Sequence, residues 1–138
     1  MKQLIIMSAV MILLMLFPLQ YALEQKNYYE ISRFQKIVYN AKEQAISAGY
    51  FTDAIINDLK ANIVAEFKDV EEGELIIEVT KTPKYRTDIF DQREMIYYKI
   101  GVPIHKLIAG NRFLGISDEE NASYYIIESY AASELVRP

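Results

Sequence analysis

Twenty consecutive residues without a charge, LIIMSAVMILLMLFPLQYAL from Leu4 to Leu23, constrain this chain more than anything else in it. As an α-helix the run is about 30 Å long, the thickness of a bilayer's hydrocarbon core. Only Ser8 and Gln20 are clearly polar. Apolar side chains surround the helix on every side, which is not the pattern of a helix lying with one face on a soluble core. Of the 138 residues, 115 follow Leu23, too few to cover such a helix all round. The run therefore reads as membrane-directed.

Two fates are open to it. Lys2 supplies a short basic start, Ile5 to Phe17 an apolar core, Pro18 a helix breaker and Ala22 a small residue before a cleavage point, which together form signal-peptide grammar. Against cleavage, Gln20 stands where a second small residue is preferred, and the apolar run is long for a signal peptide. Proline is tolerated in a spanning helix, and Tyr21, Tyr28 and Tyr29 fall where an aromatic belt would form. A retained anchor, residues 1–23, is favoured, with Ile5, Leu13, Leu14, Leu16 and Phe17 in the bilayer. Lys26, Arg33 and Lys36 weakly oppose export, but the three residues ahead of the run are too few to form a compartment. The expected orientation puts residues 24–138 outside the cell membrane as an extracytoplasmic domain. Secretion after cleavage near Ala22 is the alternative.

Past Leu23 the chain carries 14 Lys and Arg against 19 Asp and Glu. That mild acidity, without a basic cluster, argues against nucleic acid as a partner. The absence of cysteine excludes a disulfide framework, thiolate zinc sites and cysteine catalysis.

Glu24 to Ala48 contains neither glycine nor proline, and Ile31, Phe34, Val38, Ala41, Ala45 and Ala48 recur at helical spacing. The stripe is close to a heptad seam and shrinks to alanine along its length. It fits packing on the chain's own sheet, or close approach by a partner helix or a second copy. This helix could continue from the apolar run, with a kink near Leu14 imposed by Pro18. Gly49 ends it. Thr52 caps a second helix from Asp53 to about Phe67, with Ile56, Leu59, Ile63 and Phe67 buried. After Gly73 the period becomes two. Leu75 to Val79 reads as a strand, Thr82 to Gln92 as a polar loop, and Met95 to Val102 as a strand with a bulge or edge at Pro103. Ile104 to Ala109 is read as extending that strand, turning at Gly110–Asn111 into a return strand, Phe113 to Ile116. SDEEN, Ser117 to Asn121, is a turn, and Tyr124 to Ala131 the last strand. Helices first and then an antiparallel sheet of three to four strands make an α+β fold.

Motifs for chemistry are sparse. His105 is the only histidine and has neither a metal-ligand set nor a nucleophile motif around it. GNRFLG, Gly110 to Gly115, lacks the Lys-Ser/Thr of a phosphate loop. Asp118 to Asn121 and Asp69 to Gly73 read as solvated turns rather than calcium loops. No catalytic, metal-binding or cofactor-binding residue is assigned, and a non-enzymatic role is expected. Tyr97–Tyr98 and Tyr124–Tyr125 lie on strands, so one tyrosine of each pair enters the core and the other faces out. The outward pair could form a contact patch for protein or glycan.

Four stretches then carry a resemblance: LFPLQYALEQ (Leu16 to Gln25), AISAGYFT (Ala45 to Thr52), KIGVPIHKLIAGNRFLGI (Lys99 to Ile116) and SYAASELVRP (Ser129 to Pro138). Together with the order of parts, the chain resembles the TadE-like, pilin-related small membrane proteins of Tad-type pilus or secretion systems, nearest their Gram-positive branch. The resemblance implies partners among pilus or secretion proteins and self-association through the N-terminal helix. One departure bears on assembly. Processed pilins carry a glycine before the apolar helix and a glutamate at its fifth residue, whereas here the first glycine is Gly49 and the first acid Glu24. An accessory component, minor-pilin-like and not cut like a major pilin, is the implied role.

Overall fold

The computed structural model describes residues 1–87 and 92–136. A single helix, α1, runs from Lys2 to Ala48, 47 residues. No glycine interrupts it, and Pro18 lies within it. Gly49 stops it by adopting φ +86°, a left-handed conformation open to glycine, and its N–H donates to the Ala45 carbonyl at 2.7 Å. The chain forms two compact units. One comprises Met1–Tyr29 with Ile104–Ser123, the other Glu30–Pro103 with Tyr124–Pro138.

The second unit has the α+β architecture expected. The Glu30–Ala48 part of α1 is followed by α2, Asp53–Glu66, whose cap is the Thr52 hydroxyl accepting from Ile55 N–H at 3.2 Å. The three-stranded sheet runs, in spatial order, Ile76–Val79 (β1), Met95–Ile104 (β4) and Ser123–Ala132 (β5). β1 (Ile76–Val79) pairs antiparallel with β4 (Met95–Ile104), in the register Ile76–Gly101 to Val79–Tyr98. β5 (Ser123–Ala132) lies on the other side of β4. Central placement explains why Ile96, Ile100 and Val102 of β4 are wholly buried. Pro103 falls beyond the last β1 pair, so its missing N–H costs no bond to that strand.

Two sequence expectations are corrected. Thr82 to Gln92 is not simply a loop: β2 (Arg86–Thr87) pairs antiparallel with β3 (Gln92–Arg93), while positions 88 to 91 lie outside the described residues. This small ladder is fixed by distant partners that local pattern does not reveal. Glu134 receives Arg86 at 3.0 Å and Arg93 at 2.6 Å, and Arg86 N–H donates to the Leu135 carbonyl. The second correction concerns Ile104 to Ile116. β4 ends at Ile104, and instead of a hairpin with a return strand at Phe113 to Ile116 there is a 3₁₀ turn, Asn111–Leu114. Gly110 and Gly115 bracket the turn in left-handed conformations, φ +66° and +74°, and the Asn111 amide closes it by donating to the Ile116 carbonyl at 2.9 Å.

Candidate functional site

The exposed apolar part of α1 is the first element of the site. Ile5, Leu13, Leu14 and Phe17 are all more than half exposed and Leu16 is half-buried. This helix contains one stretch long and apolar enough to cross a membrane, and none of that stretch is buried inside the protein. Side chains of this kind left in water cost about 1.5–3 kcal/mol each relative to burial, so the surface calls for an apolar environment.

The second element is the connection 104–123, which belongs to the same unit. Gln20, one of the two polar residues in the apolar run, binds it through both atoms of its amide. Nε2 donates to the Leu107 carbonyl at 3.0 Å, and Oε1 accepts from Ala109 N–H at 2.8 Å. Further along the helix the Asn27 amide donates to the Lys106 carbonyl at 2.8 Å. On the other side, Gly110 approaches so closely that a Cβ there would come within 2.8 Å of Leu16 Cδ2. An apolar groove of about 260 Å³ separates Leu13, Leu16 and Phe17 from Ile108 and Leu114.

The connection is also organised internally. Asn121, 2% exposed, donates from Nδ2 to the Ile108 carbonyl at 3.0 Å and accepts from Ile108 N–H at 2.7 Å. Its own carbonyl accepts from Leu107 N–H, and its N–H donates to the Ser117 carbonyl. Ser117 and Glu120 cap each other: Ser117 N–H donates to Glu120 Oε2, and Glu120 N–H to Ser117 Oγ. Asp118 accepts from Arg112 at 2.9 Å and from the Asn111 amide at 3.0 Å. The Arg112 guanidinium, then the Asn111 amide, hold the Asp118 carboxyl below the usual carboxylate range. These acids are engaged within the turn. His105 is half-buried just past the end of β4 and lines a polar cleft with Lys106, Asn111, Arg112 and Asp118.

The helical seam lies in the other unit. Phe34, Val38, Ala41 and Ala45 are buried in its core, while Ile31 and Ala48 are half-buried. Phe34 meets Phe67 and Tyr125 edge-on, with ring centroids 6.2 and 5.9 Å away. Four of the six seam positions are thus spent on the chain's own core.

On the sheet, Tyr98 packs against Phe51 and is buried, and Tyr125 turns toward Phe34. Tyr97 and Tyr124 lie on the opposite face, as strand alternation requires. The Tyr97 ring lies 5.2 Å from that of Tyr130, and its hydroxyl donates to Glu128 at 2.7 Å. That bond to a carboxylate, reinforced by desolvation and by the charges of Glu128 and Glu78, pushes the Tyr97 phenol up to about 12. With Tyr124, Ile126 and Tyr130 exposed, this face carries an aromatic patch.

The sequence marks Gln20 only as a polar residue in an apolar run and Asn111 and Asn121 only as turn residues, and it gives Asn27 no mark at all; that these amides bind the connection carries no local signal. Comparison with protein-family models, with curated proteins and with solved structures finds no match.

Proposed function

We propose that this chain is a non-enzymatic, membrane-anchored accessory component of a bacterial pilus, conjugation or secretion assembly, with its C-terminal part outside the membrane. The carrying observation is that one uninterrupted helix contributes both the exposed apolar stretch and the core residues Phe34 to Ala45. A helix that leaves a bilayer and becomes the spine of a small α+β domain is the architecture of pilin-related proteins, and it agrees with the resemblance carried by Leu16 to Gln25 and Lys99 to Ile116. Retention of the anchor is supported by Gln20 and Leu16, which hold the connection 104–123. Cleavage near Ala22 would remove both.

The intact mass of the untagged protein, recovered from membranes and from medium of its native cells, tests the reading. Full-length mass confined to membranes, with co-purifying pilus or secretion proteins, is expected. A free species starting near Leu23 would overturn it. That result would favour a second reading, a released binding module whose contact face is the patch of Tyr97, Tyr124, Ile126 and Tyr130.

A further inference from the structure

We propose that the connection 104–123 is a membrane wedge: the turn Asn111–Leu114 inserts Phe113 and Leu114 among outer-leaflet lipids beside the protein's own anchor. The inference rests on the anchored reading of α1 and adds a second lipid contact to it.

Three observations carry it. The first is position. Gly110 abuts Leu16, seven residues before Leu23, so at 1.5 Å per residue the turn lies roughly 10 Å below the outer end of the apolar run. Interfacial segments bury their apolar faces about 5–10 Å into the boundary between headgroups and acyl chains. The second is composition. Phe113 is 83% exposed and Leu114 55% exposed, while the groove behind them, walled by Leu13, Leu16 and Phe17, is apolar and has room for part of an acyl chain. The third is polar satisfaction. Irregular backbone is not left facing lipid within the hydrocarbon core, where unpaired groups are too costly, so the turn belongs at the boundary with the headgroups, and internal pairing lowers its cost there. Here the Gln20 and Asn121 amides and the Asn111 amide bind the backbone of Leu107, Ile108, Ala109 and Ile116. The turn adds bonds from Phe113 N–H to Gly110, from Gly115 N–H to Arg112 and from Ile116 N–H to Asn111. Arg112 and Asp118, paired 2.9 Å apart and largely exposed, stay at the level of the headgroups. The wedge replaces lipid on one side of the helix, and a locally thinned bilayer accommodates it.

The chain has no cysteine, which makes single-site labelling clean. Full-length F113C, and L114C as a second variant, carry a polarity-sensitive dye in vesicles of phosphatidylcholine and phosphatidylglycerol. I12C in the apolar run and E72C in the other unit serve as references. The dye at 113 is expected to be quenched by nitroxides on the acyl chains about as well as the dye at 12. Aqueous iodide should quench it several-fold less than the dye at 72. If 113 behaves like 72 while 12 is lipid-quenched, the wedge fails and the anchor stands. Shielding of 113 from both quenchers would also overturn the wedge, pointing to a protein cover. A dye at 12 that no lipid nitroxide reaches would remove the anchor, and the wedge with it.

Discussion

At Gly49 the side chain is absent for two separate reasons. The φ of +86° disfavours any L-residue, and a Cβ would come within 2.6 Å of both Leu135 Cδ2 and the Lys84 carbonyl oxygen. The left-handed conformation alone costs an alanine roughly 1–2 kcal/mol. Gly49→Ala should therefore lower unfolding stability by about 2 kcal/mol or more in a denaturant titration of the full chain in detergent. Gly73, with open space around its Cβ position, is the control, and its alanine variant should be near neutral. Tyr97 provides a pH-dependent readout. Because its folded-state pKa is raised to about 12, the folded protein binds the phenolic proton more tightly than the unfolded chain. The resulting stability is intact below the ordinary tyrosine value of about 10 and is lost as pH rises between that value and the folded one. Phenolate absorbance should show a tyrosine titrating late, absent in Tyr97→Phe and shifted down in Glu128→Gln.

At the scale of elements, the seam of α1 and the cap of α2 give opposite kinds of test. Ala45 is 1% exposed, so Ala45→Leu overpacks a filled core and should cost about 1–3 kcal/mol, whether or not partners are present. If stability held and only assembly changed, the seam would be facing a partner instead. Thr52→Ala removes one capping bond and should cost about 1 kcal/mol. Both elements were legible in sequence because their signals are local: a glycine stop, a threonine before an aspartate, and apolar residues at helical spacing. The three sheet strands were legible from alternation, with ends shifted by one or two residues. What was not legible depends on distance along the chain. Gly110–Asn111 has the composition of a hairpin turn, yet Asn111 opens a 3₁₀ turn and an amide side chain replaces the ladder. The β2–β3 pair depends on Glu134, 41 residues beyond Arg93. The clamp on the connection 104–123 depends on Gln20, 87 residues before Leu107. No local period encodes such pairings. Asn121→Ala should strip the side-chain partners from both polar groups of the partly buried Ile108 backbone, a loss of about 1 kcal/mol for each. Hydrogen exchange should then quicken at Ile108 and its neighbours while β4 keeps its protection.

For the whole molecule, removing residues 1–23 should have an uneven effect. The connection 104–123 would lose Leu16 and Gln20, so its amides should exchange faster. The core built on Phe34, Ile63 and Ile100, which contains none of the deleted residues, should keep its protection in the same experiment. Uniform loss of protection would show that the helix start also supports that core. The Gln20 contact has a further consequence, one of timing. The groups that bind Gln20 are made 87 residues later, which at roughly 5–20 residues per second is about 4–17 seconds of synthesis. If the chain is exported as proposed, the segment around Ala22 lacks the Leu107 and Ala109 contacts throughout that interval. Once Leu107 and Ala109 arrive, the same segment is part of a folded unit. On the anchored reading proposed above, retention is thus a race between a protease and a ribosome, and slowed elongation is the condition under which a cleaved species should first be seen.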